Sequence, residues 1–272
     1  MPRPAPQKRS SKAPLYVGLA VVAVIVIGLA ATLLGGNEKG GGAGGAAIAP
    51  VTLTLPQEEI QRTQGIAIGQ PNAPITIYEF ADFQCPHCAQ FVAFIEPLIR
   101  ENLVATGKAR YVFYDFPLAN FPYGFLVSRG GRCANDQGKF WEFHDRVYQS
   151  QQEWSYAANP GKVIELLSGY AGELGMDKGQ FDTCIRSDKH ADEVTRSLKF
   201  GESLGVSGTP TLFVNGRKVE APRTYSEFEA AVRDIAPAAF GGAPASAEAP
   251  GAGAAPAPAG AAPAPAPAGG TR

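Results

Sequence analysis

The chain has 272 residues, of which 45% are hydrophobic and 18% charged, with a formal net charge of −1. Both ends differ in composition from the middle, so one domain of ordinary size must lie between them. That middle is mildly acidic and carries no phosphate loop or dinucleotide fingerprint, which excludes the basic footprint of nucleic-acid binding and leaves nothing to hold a nucleotide.

Residues 1–14 contain Arg3, Lys8, Arg9 and Lys12 and no acid. Residues 15–34, LYVGLAVVAVIVIGLAATLL, contain no charge, and as a helix they would span about 30 Å, the thickness of a bilayer's hydrocarbon core. The expectation is a single-pass anchor in the cytoplasmic (inner) membrane, its basic flank in the cytoplasm and everything after Leu34 periplasmic or extracytoplasmic. A cleaved signal peptide is the competing reading, although its apolar region usually runs only about 7 to 15 residues. Either way the main domain meets conditions in which disulfides persist. Residues 35–50 read as a Gly-rich tether reaching about 20 to 25 Å.

Within the domain, residues 51–240, the first clear element is APITIYEFADF at 73–83. It is rich in β-branched and aromatic residues and apolar on both parities, which predicts a central strand buried on both faces. Cys85-Pro86-His87-Cys88 follows at once. Beyond it, Phe91, Phe94, Ile95, Leu98 and Ile99 fall at helical spacing, so Cys85 sits where strand gives way to helix, and Pro97 predicts a kink. ARYVFYDFPL at 109–118 predicts a second strand and completes a β-α-β unit.

From 121 to about 205 the pattern is helical, with breaks near Gly138, Pro160 and Gly175. TPTLFVNGRKVEA at 209–221 predicts two short strands around an Asn215-Gly216 hairpin turn. A helix from Ser226 to Ile235 closes the domain. Residues 241–272 are nearly all Ala, Pro and Gly and read as a disordered spacer. The order β-α-β, helical block, β-β-α predicts an α/β thioredoxin-like fold with an inserted all-helical domain, preceded by one transmembrane helix.

A C-x-x-C spacing serves a metal clip, a structural staple or a redox dithiol. A cysteine at a helix N-terminus meets unpaired backbone N–H groups and the positive end of the macrodipole, both of which favour thiolate. Cys85 is therefore the candidate nucleophile, and Cys88, one turn further in, the resolving thiol. Pro86 preorganises the first turn, and His87 offers positive charge or a donor to the Cys85 thiolate. A zinc site on Cys85, His87 and Cys88 lacks a fourth ligand, so no metal is expected. His144 reads as a hydrogen-bonded helix residue, His190 as solvent-exposed, and Phe140, Trp141 and Phe143 as packing.

Cys-Pro-His-Cys after a strand ending in Glu79-Phe80, with GTPT much later at 208–211, resembles the DsbA family of thiol:disulfide oxidoreductases. CANDQGKFWEFHDRVY at 133–148 and FDTCIRS at 181–187 are similar to its membrane-anchored bacterial branch, and the likeness covers about 65–235. The resemblance implies that Cys85 and Cys88 form the redox-active pair and that Pro210 is a substrate-facing cis-proline. It further implies that the Thr209 backbone pairs with an extended peptide, and that Glu79 lies beneath the active site and passes protons to and from Cys88.

The activity implied is a dithiol oxidase, without bound cofactor, that introduces disulfides into exported proteins with free cysteines and is reoxidised by a DsbB-like or VKOR-like membrane protein. A reductase or isomerase, and a non-catalytic accessory subunit of a membrane complex, are the other classes. Cys133 and Cys184 remain: with one catalytic pair among four cysteines they are left to each other as a structural disulfide, free buried thiols being the alternative.

Overall fold

The computed structural model describes residues 49–50 and 57–241. The expected cytoplasmic N-terminus, the 15–34 span, most of the tether and the tail from 242 onward lie outside the described residues. Among the described residues no helix is long and apolar enough to cross a membrane.

Strand β2 (Ile75–Ala81) is the central strand the sequence predicts. It pairs in parallel with β3 (Ala109–Asp115) and antiparallel with β4 (Thr211–Val214). Short edge strands β1 (Ile66–Ile68) and β5 (Arg217–Val219) complete the order β1-β3-β2-β4-β5. The β4–β5 turn is Asn215-Gly216, both at positive φ (47° and 81°), as a tight hairpin of the right twist requires. Asn215 also ties the hairpin to β2, its Oδ1 accepting the Thr76 N–H at 2.8 Å.

Alternation along β2 decides what each face meets. Ile75 and Ile77 pack with Tyr111, Leu212 and Val214 against Phe91, Ile95, Ile99, Phe228 and Val232. These last five belong to α2 (Pro86–Phe94), the segment after it and α10 (Tyr225–Ile235). Glu79 shares that parity and so projects from the same face. Phe80 projects from the other face and packs with Tyr114, Phe116, Phe200 and Phe213.

The kink expected at Pro97 falls at Ile95: α2 ends at Phe94, and α3 (Glu96–Ile99) begins with Pro97 in its first turn. A proline ring clashes with the carbonyl four residues earlier, so the break precedes it. The chain then widens into a π-helical turn, Arg100–Val104, which seats Leu103 and Val104 in the core.

The helical block comprises α4 (Gly124–Asn135), α5 (Phe140–Gln149), α6 (Gln151–Ser155), α7 (Pro160–Glu173), α8 (Lys178–Arg186) and α9 (Ala191–Ser203). Helix α9 covers the Phe80 face of the sheet. Gly201 makes that approach possible, since a Cβ there would meet the Phe116 ring at 2.6 Å and Phe80 at 2.9 Å. The sequence reading missed β1 and the five-residue α1 (Gln57–Gln61). Both are too short for a periodicity to register.

Candidate active site

Asp82 builds the turn between β2 and α2. Its carbonyl accepts the Cys85 N–H at 3.0 Å, and its carboxylate accepts the N–H groups of Gln84 (2.8 Å) and Leu118 (2.7 Å). Burial raises its pKa to about 7 against the pull of those two donors.

Cys85 is consequently the residue before the first turn of α2, with Pro86 opening the helix. Its sulfur lies 3.4 Å from the Thr209 carbonyl oxygen, to which the protonated thiol can donate, and the Thr209-Pro210 peptide is cis. The Cys85 pKa is lowered to about 5, first by a hydrogen bond from the Cys88 thiol, which outweighs burial. The Thr209 side chain and the backbone N–H groups of Cys88 and His87 add to it. Cys88 has no exposed surface, and burial, then the bond and charge of Cys85 and the charge of Glu79, raise its pKa well above the ordinary thiol value. The two thiols are thus driven apart, one ionised at neutral pH and one not.

His87 serves Cys85 as a donor. Its ring is exposed, and what reaches Cys85 is its backbone N–H. The residues that fix the loop from outside were not legible at all. Gln151 of α6 donates to the carbonyls of Phe83 (2.7 Å) and Cys85 (3.0 Å). Gln84 accepts the Tyr123 N–H at 2.7 Å and donates to Ser155. The inserted helices therefore clamp the redox loop.

Beneath the cysteines lies a buried polar layer. Glu79 accepts the Tyr111 hydroxyl at 2.6 Å, and burial raises its pKa to about 7. Glu96, raised to about 7 by the same cause, pairs with Arg100 (Nε to Oε1, 2.8 Å). Arg100 continues to Asp145 at 2.9 and 3.0 Å and lies over the Trp141 ring at 4.5 Å. His144 is fully buried in α5 and joins the layer, its Nδ1 2.9 Å from Asp145.

Glu79, Glu96 and His144 offer ligand atoms within 4.8 Å of one another, a donor set a cation could use. The guanidinium of Arg100, 2.5 Å from Glu96, already supplies positive charge there, which disfavours a second cation.

Cys133 and Cys184 are joined as a disulfide between α4 and α8. His190, expected at the surface, is buried instead, between Asp136 and Glu193 at 2.8 Å each. Burial disfavours its charge, but those two acceptors outweigh burial and raise its pKa.

A family model described as Thioredoxin matches residues 61–234. Among curated proteins, the chain is 35% identical over 165 residues to a Na(+)/H(+) antiporter NhaA 3 of Salinispora tropica, covering 60% of this chain and 24% of that protein. It is 29% identical over 157 residues to a probable disulfide bond formation protein D of Bacillus anthracis, covering 55% of this chain and 69% of that one. The chain thus spans about a quarter of the length of the antiporters it matches. Among solved structures it is similar to alpha-DsbA1 of Wolbachia pipientis, at 26% identity and a TM-score of 0.58, covering 69% of this chain and 95% of that one. BdbD of Bacillus subtilis, at 19% identity and a TM-score of 0.55 over 70% of this chain and 97% of its own, shares the fold.

Proposed function

The chain belongs to the thioredoxin family, and from that premise we propose that it is a DsbA-type thiol:disulfide oxidoreductase working as a dithiol oxidase through Cys85 and Cys88. The observation that carries the reading is the Cys85 thiol at the head of α2, held at about 5 above a buried Cys88. A low pKa at Cys85 stabilises the reduced pair at neutral pH and so makes the disulfide a stronger oxidant.

A substrate thiolate attacks Cys85 Sγ, the Cys85–Cys88 bond breaks, and Cys88 leaves and takes a proton. A second substrate thiolate then attacks the mixed disulfide at the substrate sulfur. Cys85 departs as thiolate, which its low pKa favours. Across the cycle the substrate loses two electrons and two protons; the enzyme keeps both electrons and one proton, on Cys88. Thr209, whose carbonyl faces Cys85, lies where an extended substrate backbone can pair beside the nucleophile.

The uncharged run at 15–34 after a basic flank supports an inner-membrane anchor with the catalytic domain outside the cytoplasm. In that setting the substrates are exported proteins, and the reduced pair returns its electrons to a DsbB-like or VKOR-like membrane protein. The deciding measurement is the reduction potential of Cys85–Cys88 against glutathione. A value more oxidising than thioredoxin's, about −270 mV, is expected; one at or below it would turn the assignment to a reductase.

A further inference from the structure

The Cys133–Cys184 bridge lies among other metal-ligating groups. Cys133 in α4, Cys184 in α8 and His190, which immediately precedes α9, bring both sulfurs and a ring nitrogen within 4.8 Å of one another. Asp136, the residue that follows α4, completes the group: its Oδ2 lies 3.7 Å from Cys184 Sγ and 2.8 Å from His190 Nε2. Cys133 and His190 are buried, whereas 34% of the Asp136 side chain is exposed, so the group is open to solvent on the Asp136 side.

The imidazole of His190 is held from its other side. Its Nδ1 lies 2.8 Å from Glu193 Oε2, in the first turn of α9. A carboxylate on the far nitrogen is what orients the ring of a metal-ligating histidine, and it leaves Nε2 aimed at the ion. Two thiolates, one imidazole and one carboxylate make a four-donor set for a tetrahedral zinc ion, which takes all three kinds of ligand. The sulfur and nitrogen donors select against the hard cations magnesium and calcium. Lys189 Nζ shares Asp136 Oδ2 at 2.7 Å, but its side chain is 56% exposed and can turn into water, unlike Arg100, which two carboxylates hold in place.

We propose that reduction of the Cys133–Cys184 bond turns this cluster into a zinc site made of Cys133, Cys184, His190 and Asp136. The junction of α4, α8 and α9 is then closed by a disulfide under oxidising conditions and by a metal ion under reducing ones. A dithiol or a phosphine supplies the two electrons that break the bond, and the sulfurs take up two protons; the dithiol ends as a disulfide, the phosphine as its oxide with oxygen from water. Zn2+ displaces both thiol protons and the proton that His190 Nε2 shares with Asp136, and gains two bonds to sulfur, one to nitrogen and one to oxygen. Zn–S bonds of about 2.3 Å set the sulfurs about 3.8 Å apart on a tetrahedral ion. The two Cα atoms are 5.8 Å apart, and rotation about the Cα–Cβ bonds opens the sulfurs to that separation. Reoxidation by a disulfide takes the two electrons back, rejoins the sulfurs and releases the ion. The site stands apart from the Cys85–Cys88 chemistry, and neither assignment depends on the other.

The test uses the full chain with Cys85→Ser and Cys88→Ser, which leaves Cys133 and Cys184 as its only cysteines, reduced by a phosphine. Added Co2+ should give thiolate-to-cobalt charge transfer and the intense visible bands of tetrahedral coordination. The bridged, unreduced protein should give neither. Zn2+ should bleach these bands at one ion per chain and raise the Tm of the reduced protein. Glu193→Gln removes no ligand, only the carboxylate behind His190, and should weaken Zn2+ binding by about 10- to 100-fold. His190→Ala should abolish the tetrahedral spectrum. Circular dichroism follows the fold throughout, and if reduction alone unfolds the chain, Zn2+ should restore it. A missing charge-transfer band would overturn the site. So would a band in a chain that Zn2+ leaves unfolded, or one that neither His190→Ala nor Glu193→Gln changes.

Discussion

The Gln151 side chain holds the Cys85 carbonyl at 3.0 Å, so a residue of the inserted helices, 66 positions away in sequence, fixes the backbone of the nucleophile. The same amide nitrogen also holds Phe83. Gln151→Ala should leave two buried carbonyls without their donor and destabilise the domain by about 1 to 3 kcal/mol. Gln151→Glu should do more, because a carboxylate facing carbonyls and a thiolate raises the Cys85 pKa by like-charge repulsion. Thiolate absorbance followed against pH reads the second effect; an unchanged Cys85 titration in Gln151→Glu would show that the clamp is purely mechanical.

His87 poses a sharper question, since its ring is exposed while its N–H serves Cys85. His87→Ser keeps that N–H. Cys85 should therefore remain mostly ionised at pH 7, with at most a modest rise in pKa. A rise above 7 would show that the imidazole carries the charge stabilisation after all.

The contrast between His87 and Gln151 marks what a sequence reveals about this site. Cys85, Cys88 and Pro86 are legible because adjacency fixes their geometry: three positions on a helix are one turn, whatever else the chain does. Glu79 is legible by parity, being two residues from Ile77 and so on the same face of β2. Glu96, Arg100, His144 and Gln151 meet the site only because α3, the π-helical turn and the inserted helices pack against it. Their spacings along the chain carry no periodic signal. His190 was misread for the same reason: Asp136, one of the two acceptors that hold it and raise its pKa, lies 54 residues away.

The Cys133–Cys184 disulfide closes a loop with a sequence separation of 51. In the chain-entropy model its loss costs about 4 kcal/mol. Replacing both by Ala should lower the urea midpoint correspondingly, while the Cys85–Cys88 potential stays close to wild type, because the bridge joins α4 and α8 and not the β2–α2 turn that carries the active-site cysteines. A potential shifted by more than about 30 mV, equivalent to 1.4 kcal/mol, would show that the insertion's rigidity sets the redox poise.

The pH dependence of stability has a definite sign in the oxidised protein, where neither active-site thiol titrates. Glu79, Asp82 and Glu96 have folded pKa values near 7, above their ordinary carboxylate values. Such groups bind protons more tightly folded than unfolded, so stability falls as pH rises from about 4.5 through 7. His190, also raised, acts in the same direction, its contribution being lost above its folded pKa. The lowered acids Asp145 and Glu193 lose their contribution only below about pH 4. A net loss of about 2 kcal/mol would lower Tm by about 5 °C between pH 5 and pH 8. Glu96→Gln should flatten that slope, and a Tm that rises over the interval would contradict the burial of these carboxyls.

The division of labour between the two active-site cysteines is open to a direct trap. Cys85 is the sulfur with the lowered pKa and Cys88 the one without exposed surface, so substrate can form its mixed disulfide with Cys85 alone. Cys88→Ser removes the internal thiol that would otherwise expel the substrate and reclose the ring. It should leave Cys85 as a competent thiolate that captures oxidised partners in covalent complexes, visible as high-mass bands on non-reducing electrophoresis and dissolved by reductant. Cys85→Ser should show no such bands, because a fully buried thiol with a raised pKa neither reaches a partner nor ionises to attack it. Thr209→Ala, which removes a side chain that favours the Cys85 thiolate, should thin the bands without abolishing them. If the Cys85→Ser protein formed complexes as abundantly as Cys88→Ser, the nucleophile would be Cys88, and the sulfur nearest the Thr209 carbonyl would not be the one that meets the substrate.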